Sequence, residues 1–394
     1  MMKVLFIKRH SLGREDIKEA FERLGHEVFY FDGGAADDRI NPDFEAALKQ
    51  ALDENKPDFV FSSNFFPIVS NCCNEKNIKY ISWVYDCPHI SLYSYTVLNP
   101  CNYIFIFDKI MFDELVKIGL KNVYYAPLCS NPERYADKGF ISDANIKDFS
   151  KFRADVAFVG RMYSEEHNLY DERLVGIDEY TKGYLEALIE AQLKVSGYYF
   201  IEDALNEDII NRLQSVVHAT ATPGGAESVE YIYAHYFLGR KITQIERERL
   251  LRAVSQKYEL KLYTPNETPT MPKAINMGTI DYDDNMAFAF RNAKINLNIS
   301  LRSIRSGIPL RCFDIIACGG FLLSNYQADF ADCFTAGEDF DYYVDENDLL
   351  AKIDYYLTHE TEREQMRENA YEKLKKYHTY NHRIKDILDI VFEK

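Results

Sequence analysis

The stretch "SGIPLRCFDIIACGGFLLSN", Ser306–Asn325, decides how this chain folds. Gly307 and Pro309 open it, a short apolar run carries Arg311 and Asp314, and Gly319–Gly320 close that run before a plain strand sequence. Proline suits the first helical turn, where its missing N–H would have no partner. Leu310, Phe313, Ile316 and Ala317 recur at helical spacing and form an apolar stripe. Arg311 and Asp314, three apart, share another face, and Gly319 suits a left-handed C-cap. Upstream lies "KINLNIS" from Lys294, an apolar strand sequence leading into the loop "LRSIRSG". Strand, loop, helix and strand in this order make the repeating unit of a parallel α/β sheet.

The same alternation runs through the rest of the chain. "KVLFIK", "EVFYF", "DFVFSS", "KYISWVY", "YIFIF" and "NVYYA" are short apolar runs in the first third, most of them separated by helical periodicity such as Glu15–Leu24. Ser130–Phe152 reads as a polar linker broken by Pro132 and Gly139. Strand signals resume with "ADVAFVGR" from Ala154, "ELKLYT" from Glu259, "KINLNIS" and "GFLLSN", and charged helices begin near Asn347. Between Tyr180 and about Tyr258 the pattern is helical, interrupted by the breaker "TPGGAES". We expect two doubly wound, Rossmann-like α/β domains facing a central cleft. They span residues 1–145 and 150–378, with a helical insertion at about 180–258 in the second and a C-terminal helix, 379–394, packing back on the first. In such sheets ligands bind beyond the carboxyl ends of the strands.

A chain of 394 residues agrees with two cores of ordinary size. Acidic residues outnumber basic ones by 62 to 46, a formal charge of −16 that repels polyphosphate backbones, so nucleic acid is not an expected partner. No apolar run approaches the ~20 residues needed to span a bilayer, and no transmembrane segment is expected. The N-terminus enters "KVLFI" without a charged leader, and the eight cysteines show no C-x-x-C pair, so a reduced, cytoplasmic protein is expected.

Several segments carry residues suited to chemistry. Amides at the start of the 309–317 helix attract phosphate, and Gly307 allows close backbone approach. Arg302, Arg305 and Arg311 add cations around that turn, and Asp314 is placed to accept from sugar hydroxyls. The competing reading is a capped core helix with an Arg311–Asp314 surface pair. In "FVGRMY", Gly160 allows a sharp turn and Arg161 can reach a diphosphate, or else pair with Glu165 or Glu166. Lys182 could assist from a surface helix. Tyr263 and Tyr282 are candidates for stacking near a base. In "WVYDCPHI", Asp86 and His89 follow a strand and a proline turn; either could orient an acceptor or act as a base, and either could be structural. Asp108, after "YIFIF", is a further candidate on that side.

"KINLNIS…SGIPLRCFDIIACGGFLLSNYQADF" resembles the C-terminal half of the CgeB-like, spore-maturation type glycosyltransferases, which are related to family 4 of the retaining glycosyltransferases. "DVAFVGRMY", "KGYLEALIEAQ", "GTIDYDDNMAFAFRNAKINLNIS", "YHTYNHRIKDIL" and, in the first half, "YISWVYDCPHI" extend the resemblance over most of the chain. It implies a GT-B fold and transfer of a hexosyl or N-acetylhexosaminyl group from a nucleoside-diphosphate sugar, a UDP-sugar first, to a glycan or protein acceptor. It places the donor mainly on the C-terminal domain. We expect Arg161, Tyr263, Tyr282, Arg305, Ser306, Gly307, Ile308, Arg311 and Asp314 as binding residues and Asp86 and His89 as catalytic ones. Asp314 stands where relatives carry a ribose-binding glutamate, and is shorter by about 1.5 Å. Ser306 stands where family 4 carries an earlier glutamate. Helix starts and arginines would neutralise the leaving diphosphate, so retaining, metal-independent transfer with no tightly bound cofactor is expected. A sugar-nucleotide epimerase or hydrolase and a non-catalytic nucleotide-sugar-binding module are the alternatives.

Overall fold

The strand–loop–helix–strand order around Ser306–Asn325 is present in a computed structural model, which describes residues 1–9, 11–37, 39–135, 150–165, 168–269 and 271–392. The helix runs Leu310–Ala317, with Cys318 as C-cap and Gly319 in the left-handed region at φ 69°. Gly320 N–H donates to the Ile315 carbonyl and Gly319 N–H to the Ile316 carbonyl, both at 2.8 Å. These two bonds satisfy the last carbonyls of the helix and turn the chain into the following strand. Pro309 is the N-cap, in extended conformation, so the helix starts one residue later than the proline implied. From Cys312 to Ala317 every residue is buried, Asp314 included. The helix is a core element, not a half-exposed one.

The described residues divide into two compact units, Met1–Cys129 with Ala221–Ser228 and His378–Lys394, and Ser130–Thr220 with Val229–Tyr377. The first holds β1 (Lys3–Lys8), β2 (Glu27–Asp32), β3 (Phe59–Ser63), β4 (Lys79–Val84), β5 (Asn102–Ile106) and β6 (Val123–Tyr125). They form one parallel sheet in the order β2-β1-β3-β4-β5-β6. Every residue of β3 is buried, as a strand covered on both faces requires. Phe6, Phe21, Phe59 and Phe61 pack edge-on or tilted on one side of this sheet. The C-terminal helix Tyr380–Phe392 closes the same unit: Phe392 lies 5.4 Å from Phe59, and Lys79 donates to the Val391 carbonyl at 2.8 Å.

The second unit holds β7 (Ala154–Val159), β8 (Leu260–Tyr263), β9 (Ala274–Asn276), β10 (Ala293–Asn298), β11 (Leu322–Asn325) and β12 (Asp341–Tyr343). Its parallel order is β12-β11-β10-β7-β8-β9. The chain winds outward from β7 through β8 to β9, then restarts at β10 on the other side of β7. The reversal between β7 and β10 opens a crevice beyond their carboxyl ends, the place where such sheets take ligands. Helices between β7 and β8 bury their own core around Leu185, Ile189, Ile209, Leu213, Tyr233 and Ile242. The breaker within them does more than interrupt: Ala221–Ser228 belongs to the first unit. There the buried Glu227 carboxylate pairs with Arg39 at 3.3 Å, Tyr95 N–H donates to Gly224 and Ala226 N–H to Tyr93. Of the linker read at Ser130–Phe152, residues 136–149 lie outside the described residues.

The two closing glycines should respond differently to substitution. Gly319→Ala meets open space apart from Arg291 at 3.8 Å, so only the left-handed backbone penalises it, by about 1–2 kcal/mol. At Gly320 an added Cβ would sit 2.7 Å from Asn296 Nδ2 and 2.8 Å from the Phe290 carbonyl, and the strand beneath must shift. Gly320→Ala should therefore lower the melting temperature more than Gly319→Ala. The reverse order in a thermal-unfolding comparison would contradict this packing.

Candidate functional site

At the crevice between β7 and β10, strand β7 is followed by Gly160, whose φ of 154° few side chains tolerate. A Cβ there would lie 2.7 Å from Arg311 Nη2, so glycine makes room for a guanidinium laid against the strand end. Arg311 donates to Asn298 Oδ1 at 3.2 Å and sits over the Phe158 ring at 5.6 Å. Asn298, at the end of β10, is fully buried and gives its amide hydrogens to Ser300 and Ser324 at 2.9 and 3.0 Å, which aims its oxygen at Arg311. Among the described residues Arg311 has no carboxylate within ion-pair distance, and burial lowers its pKa. A cation at a sheet reversal, next to a helix start, is suited to a bound anion.

Arg311 and Asp314 do not pair, contrary to the surface-pair reading. Asp314 is directed elsewhere and accepts from the Ser130 hydroxyl at 2.7 Å and from the Tyr135 and Tyr282 hydroxyls at 3.4 Å each. Tyr282 is the partly exposed member of that group, with the Arg134 guanidinium over its ring at 4.8 Å. Tyr282 and Asp314 are thus brought together, as expected of two binding residues, although hydroxyls of this chain already surround the carboxylate. Tyr263 differs. Its ring packs with Phe152, Ala157, Ala289 and Ala293, its phenol is buried without a partner, and burial pushes its pKa up to about 12. Only its backbone meets the crevice, where its carbonyl accepts from Gly160 N–H at 3.0 Å.

In the loop before the helix, Ser306, Gly307 and Ile308 are buried, and the Ser306 carbonyl accepts from Asp329 N–H at 3.0 Å. Arg305 lines a small polar hollow with Tyr198, Tyr199, Asn325 and Tyr326. Arg302 leaves the set of available cations, because Glu246 neutralises it through two bonds of 2.8 and 2.5 Å. The Arg161 side chain is 68% exposed and 3.8 Å from Glu165; Glu166 lies outside the described residues. Lys182 is exposed on the Glu179–Gln192 helix.

The sequence reading missed Arg247. It lies on the Gly239–Lys257 helix, is 2% exposed, and donates Nε to the Ile299 carbonyl at 3.1 Å and Nη1 to the Arg161 carbonyl. A signal existed. Ile242, Thr243, Glu246, Arg247, Leu250, Leu251 and Val254 keep helical spacing, so both charges fall on the buried stripe.

In the first unit, Asn64 follows β3 in a left-handed conformation at φ 75°. Its side-chain oxygen accepts from Tyr85 and Asp86 N–H at 2.8 and 3.0 Å, and its amide donates to Asp86 Oδ2 at 2.6 Å. Asp86 is exposed beyond the carboxyl end of β4. His89 lies three residues on, with Nε2 2.9 Å from the Phe65 carbonyl and 3.2 Å from its N–H. Burial lowers the His89 pKa below 6.5, while the Phe65 carbonyl and Asp86 oppose the shift. Asp108 is a helix cap instead: fully buried, it accepts from Met111 N–H at 2.9 Å.

Comparison with known proteins agrees with this layout. Residues 240–389, which include β10, the Leu310–Ala317 helix and Arg247, match the glycosyl transferase-like family. No protein of curated function matches by sequence. Among solved structures, sucrose-phosphate synthase from Thermosynechococcus elongatus superposes with a TM-score of 0.57 at 10% identity, over 100% of both chains. A glycosyltransferase from Rickettsia africae gives 0.54 at 12% identity, over 100% of this chain and 98% of its own. The Anabaena protein HepE in complex with UDP-glucose gives 0.52 at 8% identity, over 100% of both chains. At these identities the likeness is one of fold: two parallel-sheet α/β domains of the GT-B class, with residues 240–389 similar to the glycosyl transferase-like family.

Proposed function

We propose that this chain is a glycosyltransferase of the CgeB-like type, moving a sugar from a nucleoside-diphosphate donor to an acceptor hydroxyl. The observation that carries this reading is Arg311, seated against Gly160 at the β7/β10 reversal with no carboxylate partner among the described residues. A leaving nucleoside diphosphate develops charge that a fixed cation and the backbone dipoles at a helix start stabilise without reorganisation. Gly307 and Ile308 supply the amides, Arg305 and Ser306 border them, and Asp314 with Tyr282 accepts from the ribose. A UDP-sugar is the first donor to test, since HepE was solved with UDP-glucose. With guanidinium groups doing the neutralising, transfer proceeds without a divalent metal. We assign retention of configuration, the leaving phosphate acting as base, and give Asp86 and His89 the task of holding the acceptor hydroxyl. Eight free cysteines agree with a reducing, cytoplasmic location.

Charge-assisted hydrogen bonds to a phosphate contribute roughly 1.5–3 kcal/mol each. Arg311→Met should weaken UDP binding by about tenfold or more in calorimetry, with uridine affected far less. An unchanged UDP affinity would remove Arg311 from the site. Turnover of UDP-glucose and UDP-N-acetylglucosamine, measured with and without glycan acceptors, tests the reaction itself. Consumption independent of any acceptor would mark a hydrolase or epimerase, and full activity should persist in EDTA.

Asp86→Ala and His89→Ala should leave UDP affinity within about threefold and lower turnover. Loss of a positioned acid or base commonly reduces rate by about 10²–10⁴-fold, and a retaining enzyme should sit at or below the lower end. Because burial holds His89 neutral to lower pH than a free imidazole, an activity that needs neutral His89 should hold at pH 6.5 and fall only below it. The same shift makes the unfolded chain bind the extra proton first, so stability should decline as pH drops below about 6.5. Two alanine variants with normal turnover would reduce Asp86 and His89 to structural roles.

A further inference from the structure

Arg247 comes from the helices between β7 and β8, and nothing in the glycosyl-transfer reading above requires it. Its guanidinium nevertheless lies at the heart of the crevice. Nε and Nη2 donate to the Ile299 carbonyl at 3.1 and 2.5 Å, just beyond β10, and Nη1 donates to the Arg161 carbonyl, just beyond β7. One side chain therefore ties together the two strand ends that flank the reversal. Its faces are covered by the Phe158 ring at 5.3 Å and the Tyr163 ring at 4.8 Å. Tyr163 reaches that position from a left-handed backbone at φ 60°, a conformation that disfavours side chains other than glycine and asparagine.

Two features distinguish this from an ordinary buried arginine. First, no carboxylate lies within ion-pair distance among the described residues: neighbouring Glu246 is taken by Arg302. Second, Arg311 lies over the same Phe158 ring, so two guanidinium groups share one aromatic platform. Carbonyls and ring faces satisfy hydrogen bonds and quadrupoles but carry no net negative charge. Burial, reinforced by Arg311, draws the Arg247 pKa down to about 10. Buried charge without a counter-ion is unfavourable in the empty protein, and a bound dianion relieves it.

We propose that Arg247 and Arg311 form a paired-guanidinium cradle for a diphosphate, with Arg311 as the contacting group and Arg247 as the positioning residue that holds the strand ends and doubles the local charge. The inference rests on the assignment of a nucleoside-diphosphate donor for its biological ligand, but not for its chemistry, because inorganic pyrophosphate satisfies the same cradle. It also reassigns the weight first given to Arg161, whose exposed side chain reaches a carboxylate only loosely and whose carbonyl is what the crevice uses.

The test titrates inorganic pyrophosphate, UDP and uridine against the full chain and its Arg247→Met, Arg247→Lys, Arg311→Met and Arg161→Met variants, with melting temperature recorded alongside. Arg247→Met and Arg311→Met should each weaken pyrophosphate at least tenfold, Arg161→Met less than threefold, and Arg247→Lys should recover part of the loss by restoring charge. The double variant should lose less than the product of the single losses, because the two groups act on one ligand. A purely structural Arg247 would lower melting temperature and leave pyrophosphate affinity in the folded fraction unchanged, which would overturn the proposal. Should Arg247→Met fail to fold, Arg311→Met, Arg161→Met and Arg247→Lys still decide it: pyrophosphate affinity that depends on Arg161 and ignores Arg311 and Arg247→Lys would also overturn it. UDP binding indifferent to both Arg247 and Arg311 would sink the cradle and leave glycosyl transfer standing. Pyrophosphate binding with no UDP binding would do the opposite.

Discussion

Two cations sharing one phenylalanine ring are the arrangement around which the second unit is organised. Desolvating an arginine is unfavourable by several kcal/mol, and a second arginine nearby adds to that. The surroundings meet this in detail. Gly160 gives up its side chain so that Arg311 fits against the strand end, Asn298 is oriented by two serines to present its oxygen, and carbonyls at Ile299 and Arg161 fill the Arg247 donors. Gly160, Arg161, Asn298 and Ile299 are each at the carboxyl end of β7 or β10 or directly beyond it. Their shared placement follows from the sheet order, since only at a reversal do two adjacent strand ends lack helices crossing over them in the same direction.

The Leu310–Ala317 helix shows how a short element serves both sides of this site. Eight residues give little more than two turns, too few for a solvent face once the helix is covered on both flanks. Its polar side chains must then be absorbed by hydrogen bonds, and they are, in opposite directions. Arg311 goes to Asn298 and the Phe158 ring, whereas Asp314 collects hydroxyls from Ser130, Tyr135 and Tyr282. Burial without pairing separates the two charges that their spacing alone would have joined. On the proposed reading, ligand contact then falls to the partly exposed residues of this set, Arg311 and Tyr282.

Much of this architecture was legible because parallel strands buried on both faces read as continuous apolar runs. β3 and β4 stand out for that reason, and the Gly319–Gly320 stop was readable because a left-handed cap needs glycine. The strands that escaped notice, β9 and β12, are the two edges of the second sheet, three residues each, with no room for a period to repeat. Site residues were less legible than strands. A lone arginine in "FVGR" is conspicuous, yet in the structure its side chain is exposed and it is its carbonyl that Arg247 holds. Arg247 hides in "ERERLLRAV", Glu246–Val254, a sequence that resembles a solvated charged helix until its register against Ile242, Leu250 and Val254 is followed. Glu246 and Arg302 had to be found paired before the remaining cations could be identified, and 56 residues separate them in the chain.

Charge also bears on why the proposed reading gives the nucleotide to one unit and not the other. In the first unit the reversal falls between β1 and β3. There Arg9, just beyond β1, is already paired with Asp37. Asn64, beyond β3, spends its side chain on the Tyr85–Asp86 turn, and the group left facing solvent is the Asp86 carboxylate. An exposed carboxylate repels a diphosphate but can orient a neutral hydroxyl, whereas an unpaired guanidinium does the converse. Both sheets reverse in the same way, and on the proposed reading the sign of the charge each leaves unneutralised suits the second to the anionic donor and the first to the hydroxyl-bearing acceptor.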